Sequence, residues 1–297
     1  MNKNLISRYI WLVDALNSHG HLTREEINDL WKRSSIGDGN PLPQRTFYHY
    51  RRAIEEIFNI DIACNSRGEY YIERDGEEGN GMTDWLLDSF AVNNILADSP
   101  DIADRIEVEE VPSAREFLPV VIDAIRAGAA IRFDYAGFNR SMTERGIEFH
   151  PYFLKRYKQR WYMIGKKVQG DALRTYALDR VKAMDKTGGS FTLPKGLSLQ
   201  EIFSGVLGVT TSQAEERTVR LQTTRMQAKY FRALPLHRSQ HEELTGPDYS
   251  IFTYRLKLNY ELVHELMSLG DGVKVLEPKE LRIMVANELK KALSQYD

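Results

Sequence analysis

The chain has 297 residues, enough for about two or three domains that each bury a core of their own. Its hydrophobic content of 42% and charged content of 28% are ordinary for a globular protein, and no apolar run approaches the length of a membrane span. The net charge of −2, the single cysteine Cys64 and a start without signal-sequence character predict a cytoplasmic protein without a disulfide, a cysteine-based zinc cluster or an overall nucleic-acid signature.

Hydrophobic spacing predicts three helices at the start of the chain. The first covers residues 4–18, and a capping box at residues 23–26 opens the second. A loop of residues 34–42, rich in glycine and proline, ends the second helix, and Pro43 begins a third that runs to about Asn59. Residues 60–73 then read as two strands around a turn of residues 65–68.

The third helix is predicted to have two different faces. Its apolar stripe consists of Phe47, Tyr50, Ile54 and Ile57. Its opposite face is cationic and polar, which suits entry into a DNA major groove, and Arg67 lies at the tip of the hairpin. The candidate DNA-binding residues are Gln44, Arg45, Thr46, Tyr48, His49, Arg52 and Arg67. The order of elements is that of a winged helix-turn-helix over residues 1–78; the alternative is a small helical interaction domain with a solvated basic stripe.

Residues 79–114 are predicted to connect this domain to the next one. Trp85, Leu86 and Phe90 indicate a linker helix and a candidate dimer contact, and an acidic connector follows. A capping box at residues 113–116 predicts a helix through Ile125 that ends at Gly128.

Short aromatic and β-branched runs in residues 130–184 predict an antiparallel meander. In its last run, alternation places Arg174 and Tyr176 on one face and Thr175 and Ala177 on the other. Residues 115–190 carry 15 Lys and Arg against 8 Asp and Glu, whereas residues 82–114 carry 1 against 8. Either an anionic ligand or the acidic connector would balance this basic excess.

The triplet Trp161-Tyr162-Met163, followed by Arg174-x-Tyr-x-Leu-Asp-Arg180, resembles the WYL domain of bacterial transcription regulators. The resemblance implies a small Sm/SH3-like β-barrel over residues 115–190 that senses a nucleotide or oligonucleotide. Asp179 is expected to pair with an arginine and orient it. The candidate ligand-binding residues are Tyr135, His150, Tyr152, Arg156, Trp161, Tyr162, Arg174, Tyr176 and Arg180. The long loop of residues 34–42 resembles phage-defence-associated members.

Strands alternate with helices over residues 191–297, which predicts a ferredoxin-like α+β module for dimerisation or gating. Its last strand and helix resemble the C-terminal extension of WYL regulators. The glycines at 76–81 and 188–189 are candidate hinges between the domains.

Motifs for catalysis are missing from the sequence: it has no phosphate loop, dinucleotide fingerprint or nucleophile elbow. His237 and His241 are four residues apart, but their polar surroundings favour a loop or edge strand over a metal-binding helix. We therefore expect an α+β multidomain protein that is not an enzyme and needs no cofactor or metal. The expected function is a homodimeric, ligand-responsive repressor that binds a double-stranded DNA operator. The alternative is a nucleic-acid processing factor whose barrel binds RNA or single-stranded DNA as substrate.

Overall fold

The structure, a computed structural model, describes residues 3–34, 36–58, 60–73, 85, 89, 105–107, 116–138, 141–211 and 214–296. The chain divides into two compact units, residues 1–109 and 110–297. The described residues form a mixed α/β structure with three antiparallel sheets. Among them, no helix is both long enough and apolar enough to cross a membrane.

The first unit begins with three helices, and a hairpin follows them, as the spacing predicts. Its elements are α1 (Lys3–His19), β1 (Leu22–Thr23), α2 (Arg24–Arg33), α3 (Gln44–Phe58), β2 (Asp61–Cys64) and β3 (Glu69–Glu73), with sheet order β1-β3-β2. The predicted capping box is present: the Thr23 amide donates to Glu26 Oε2 at 2.8 Å, and the Glu26 amide donates to Thr23 Oγ1 at 3.3 Å. It satisfies amides at the start of α2 that have no partner within the helix.

An aromatic core holds the three helices together. The buried face of α3 carries Phe47, Tyr50, Ala53 and Ile54, and the Tyr50 ring packs edge-on to that of Tyr9 with centroids 5.2 Å apart. The predicted stripe is wrong at one residue, because Ile57 is 47% exposed. Ile57 lies in the last turn of α3, where the neighbouring Phe58 packs against the core in its place.

The second unit begins with a helix and a five-stranded sheet, which confirms the predicted meander. The elements are α4 (Leu118–Ala127), β4 (Ala129–Tyr135), β5 (Glu144–Tyr157), β6 (Arg160–Lys167), β7 (Leu173–Ala177) and β8 (Val181–Ser190), with sheet order β7-β6-β5-β4-β8. A single 3-10 turn, Leu178–Arg180, joins the two edge strands β7 and β8. So short a connection requires the sheet to curl until its edges approach each other.

Two predictions about the borders of this sheet are wrong. Helix α4 begins at Leu118 with a proline in its first turn and no side-chain cap, so it does not start from the predicted capping box, of which only Glu116 is described. Gly188 and Gly189 lie inside β8 and not in a break between domains, although the pairing of β8 with β4 is irregular between Lys186 and Ser190. The C-terminal end of α4 is as predicted, with Gly128 in the left-handed conformation at φ 59°.

The remaining part of the second unit alternates strands and helices, as predicted. The elements are α5 (Leu199–Ile202), β9 (Arg217–Thr224), α6 (Arg225–Ala233), β10 (His241–Thr245), β11 (Tyr249–Leu256), α7 (Tyr260–Ser268), β12 (Val273–Glu277) and α8 (Lys279–Leu293). The sheet order is β10-β11-β9-β12. Its buried face, which includes Val219, Leu221, Phe252 and Tyr254, packs with the apolar sides of α6 and α7.

Most of the predicted linker helix lies outside the described residues. Trp85 and Ser89 are helical, and the Ser89 hydroxyl donates to the Trp85 carbonyl at 2.7 Å. Leu86, Phe90 and the glycine-rich stretch 76–81 are not among the described residues.

Candidate functional site

The solvent-facing side of α3 collects most of the predicted DNA-binding residues. Gln44, Arg45, Tyr48, His49 and Arg52 are exposed there, while the opposite face of the same helix is buried. The described residues give Arg45 no ion-pair partner, whereas Arg52 Nε lies 3.1 Å from Glu56 Oε1. Of these two arginines, one is therefore unpaired and the other is partly neutralised. Thr46 is half-buried at the edge of this surface.

A hydrogen bond between two tyrosines connects this surface of α3 to the hairpin. The Tyr48 and Tyr70 hydroxyls lie 3.2 Å apart, and Tyr70 is buried on β3 against the Phe47 ring. Burial and the contact with Tyr48 raise the pKa of Tyr70 to about 12. Tyr70 therefore stays protonated at neutral pH, and the same hydrogen bond lowers the pKa of Tyr48.

The hairpin turn is organised by the side chain of Asn65. Its Oδ1 accepts from the amides of Arg67 at 2.9 Å and Glu69 at 3.0 Å, and its Nδ2 donates to Glu69 Oε2 at 2.7 Å. Gly68 has φ 77°, a conformation that a side chain would disfavour. Arg67 is thereby held exposed at the tip of the hairpin, where the sequence places it.

A polar cleft of roughly 490 Å³ opens along the edge strand β7. Of the predicted ligand-binding residues, it is lined by Tyr135, Arg174, Tyr176 and Arg180. The curl of the sheet explains how strands β4 and β7 contribute together, since the Ala177 amide donates to the Tyr135 hydroxyl at 3.4 Å. Burial raises the pKa of Tyr176, whose ring packs edge-on to those of Phe133 and Phe149 in the core.

Arg180 is the most distinctive side chain of the cleft. Its guanidinium carbon lies 3.9 Å from the ring centroid of Phe138, a residue that is 74% exposed. Its Nε is buried without a hydrogen-bond partner among the described residues, and so is the Thr175 hydroxyl. A buried donor without a partner is costly, so Arg180 Nε is positioned to donate a hydrogen bond to a ligand.

The other charges around the cleft are paired. Lys167 forms an ion pair with Glu144, and that hydrogen bond raises the pKa of Lys167. Asp171 lies 3.4 Å from Lys166 Nζ. The described residues give Arg174 and Arg180 no such partner. Asp179 pairs with Arg160 at 3.5 Å and with neither arginine of the cleft, so the expected pairing is present with a different arginine.

The structure does not bring the other predicted ligand residues to this cleft. Tyr152 is buried, and both it and His150 pack against Phe191, with ring centroids 5.3 Å away in each case. Trp161 is 9% exposed and lies opposite Arg156 in the β5–β6 ladder. Tyr162 is half-buried and packs beside Ile164, and burial raises its pKa.

Sequence reasoning missed several residues that line the cleft, among them Phe138, Glu144 and Lys167. Phe138 could have been predicted, because it follows Gly137 just beyond the end of a strand. An aromatic residue at such a position lies outside the alternation that fills the core. Lys167 and Glu144 could not have been predicted, because their proximity depends on the strand register between β5 and β6.

The described residues contain no group of three or more His, Cys, Asp and Glu side chains arranged to hold a metal ion. His237 lies in a turn and accepts from the Ser239 amide at 3.1 Å, and His241 begins the edge strand β10. Neither histidine is on a helix, as the polar surroundings predict.

Comparison with known proteins gives two family matches. Residues 116–185 match the WYL domain, and residues 215–293 match the WCX domain. Protein PafB of Mycobacterium tuberculosis is 26% identical over 190 residues, which is 61% of this chain and 54% of that protein. Protein PafB of Mycobacterium leprae is 25% identical over 189 residues. The chain thus spans about half the length of the curated relatives it matches.

Two solved structures are also similar at a low level. Proteasome accessory factor B/C (PafBC) of Arthrobacter aurescens has a TM-score of 0.37 and 20% identity, covering 97% of this chain and 46% of that one. A CRISPR Cas-related protein has a TM-score of 0.35 and 15% identity, covering 63% and 55%. The family matches confirm the WYL resemblance seen in the sequence, and the second match falls within the predicted C-terminal extension. The chain therefore contains a WYL domain followed by a WCX domain, and it is homologous to the PafB proteins.

Proposed function

We propose that the chain is a ligand-responsive transcription regulator that binds double-stranded DNA through α3 and senses an anionic ligand in the cleft of the WYL domain. The observation that carries the proposal is α3, whose buried face is aromatic and whose exposed face offers cations and hydrogen-bonding side chains. Such a helix can enter a major groove while staying anchored to its own domain.

The connectivity of the first unit supports a winged helix-turn-helix. In this assignment α3 is the recognition helix, and the β2–β3 hairpin is the wing that carries Arg67 to the phosphate backbone. The curled sheet β4–β8 supports an Sm/SH3-like barrel, and the strand order β10-β11-β9-β12 supports a ferredoxin-like module. The proposal includes a role in phage defence, which is favoured by the long loop of residues 34–42 between α2 and α3.

The cleft supports the sensing part of the proposal. It offers two arginines without ion-pair partners among the described residues and an exposed aromatic ring, which match a phosphate and a base. The effector of the proposal is accordingly a nucleotide or oligonucleotide. No catalytic step is assigned to the protein.

A repressor with this architecture acts as a homodimer in the proposal, because one recognition helix reads too few base pairs for a useful specificity. Two copies would present their α3 helices on the half-sites of a palindrome. Light scattering of the protein alone and on its operator measures this directly, and a monomer in both states contradicts it.

Gel shifts with the duplex upstream of the protein's own gene, and with single strands of equal length, test the central proposal. We expect preference for the duplex, and we expect Arg45→Glu to abolish it in a folded protein. Arg180→Ala should leave duplex binding intact but remove its response to nucleotides. Preference for the single strand, lost in Arg180→Ala, would favour the rival proposal of a nucleic-acid processing factor, which the basic excess of residues 115–190 supports.

A further inference from the structure

Strand β7 separates two different environments. Its Arg174 and Tyr176 side chains face the cleft, as the sequence alternation predicts. The intervening face belongs to a second apolar cluster, because Thr175 pairs with the fully buried Ile164 and Leu173 packs in the same cluster. A group that binds Arg174 and Tyr176 therefore acts on a strand whose other face is already packed.

The second face of β7 packs against a bridging segment, residues 202–210, which connects the WYL and WCX domains. Ile202, Phe203 and Val206 of this segment belong to the cluster with Ile164 and Leu173. The next residue, Leu207, belongs instead to the core of the WCX domain. Adjacent side chains of one short segment are thus inserted into two different cores.

The bridging segment is bound to α7 of the WCX domain by polar contacts. The Asn259 side-chain amide donates to the Leu207 carbonyl at 2.8 Å. Glu261 Oε1 accepts from the amides of Val209 at 3.3 Å and Thr210 at 2.9 Å. Asn259 caps the N-terminus of α7, and Glu261 lies in its first turn. A movement of the bridging segment would therefore also move the start of this helix.

Two lysines of the WYL domain also contact the bridging segment and α7. Lys155 Nζ donates to the Gly208 carbonyl at 2.7 Å and lies 3.6 Å from the centroid of the Phe203 ring. Burial lowers the pKa of Lys155 to about 8, and the nearby Glu261 opposes that change. Lys158 Nζ, at the tip of the β5–β6 hairpin, lies 2.7 Å from Glu265 Oε2 on α7.

From these contacts we infer that the bridging segment, fastened by Lys155, transmits occupancy of the cleft from β7 to helix α7 of the WCX domain. The inference rests on the proposed function, since it needs a ligand in the cleft. It assigns Lys155 a positioning role, since the lysine does not line the cleft. Its cation holds Gly208 and Phe203 in place between the apolar cluster of β7 and the core of the WCX domain. Coupling of this kind requires that the ligand favour one packing of the cluster over another.

Hydrogen exchange on the full chain tests the inference, with a short 5′-phosphorylated oligothymidylate as the probe. In the wild type, the probe should protect the amides of β7 and also change the exchange of α7. In Lys155→Met, which keeps the length of the side chain without its charge, protection of β7 should persist while the change in α7 is lost. Val206→Ala, which keeps Lys155, should lose the change in α7 as well.

Lys186→Met is the matched control, because Lys186 pairs with Asp123 at 3.5 Å on the α4 side of the same sheet. It should respond to the probe as the wild type does. A change in α7 that survives in Lys155→Met or in Val206→Ala overturns the inference. So does a wild type in which β7 is protected and α7 is unchanged, although the proposed effector site then stands. Absence of any protection at β7 overturns the effector site and this inference together.

Discussion

Glu56 is expected to restrain the DNA-binding surface of α3, so removing its charge should strengthen duplex binding. Its carboxylate lies 3.1 Å from Arg52, whose side chain is 81% exposed. An exposed pair four residues apart on a helix is worth about 0.3–0.5 kcal/mol, which Arg52 must give up before it contacts a phosphate. The carboxylate also repels the phosphate backbone directly. Glu56→Gln removes both effects and keeps the size of the side chain.

The two effects together should amount to about 1 kcal/mol for each recognition helix, which corresponds to roughly a fivefold gain in duplex affinity per helix and about a 30-fold gain for the proposed homodimer. Freeing a cation for one more phosphate contact should also steepen the salt dependence by about 0.9 in log affinity per log salt for each helix. Fluorescence anisotropy with the upstream duplex at several salt concentrations measures both quantities.

Glu288→Gln is the control for a change in net charge. It breaks a similar exposed pair, with Lys291 at 2.6 Å in α8, and it alters the overall charge by the same amount. Equal gains in the two variants would mean that the effect belongs to the net charge of the protein. An unchanged or lower affinity in Glu56→Gln would refute the placement of the DNA surface on this face of α3.

Three further predictions follow from single contacts. Thr23→Ala removes the capping box of α2 and should lower the free energy of unfolding of the first unit by about 1 kcal/mol, measured by urea titration of Trp11 and Trp31 fluorescence. Asn65→Ala removes three hydrogen bonds from the hairpin turn and should weaken duplex binding through Arg67 while the probe affinity of the cleft stays unchanged in titration calorimetry. Lys155 loses its proton near pH 8 in the folded state but near about 10.4 in the unfolded chain, so the unfolded state binds more protons between these values. The free energy of unfolding should therefore rise with pH across that window in the wild type relative to Lys155→Met, and parallel pH profiles of the two proteins would contradict the assignment.

The helices and strands were largely predictable because their signals are local. The capping box at Thr23, the end of α4 at Gly128 and the alternation in β7 each depend on residues a few positions apart. The errors occurred where a distant partner decides the outcome. Gly188 and Gly189 look like a hinge in the sequence, but β8 continues through them to Ser190, which pairs with Ala129 of β4.

The cleft was predictable only in part, for the same reason. Tyr135 and Arg174 are on strands that are not neighbours in the sheet, and the curl that brings β4 to β7 is not encoded in either strand alone. His150 and Tyr152 share the composition of a ligand site, yet both pack against Phe191. Composition predicts a type of site, and strand pairing decides which of the predicted residues line the cleft.

The basic excess of the WYL domain has a third explanation besides a ligand or an acidic connector. Part of it is balanced by acidic residues of the WCX domain, as in the pair of Lys158 with Glu265 at 2.7 Å. In the described part of the cleft, Arg174 and Arg180 are the cations that keep no ion-pair partner. Their two positive charges match the charge of one terminal phosphate group, about −1.5 to −2 at neutral pH. The cleft should therefore distinguish a 5′-phosphorylated oligonucleotide from its dephosphorylated form more strongly than it distinguishes one base sequence from another.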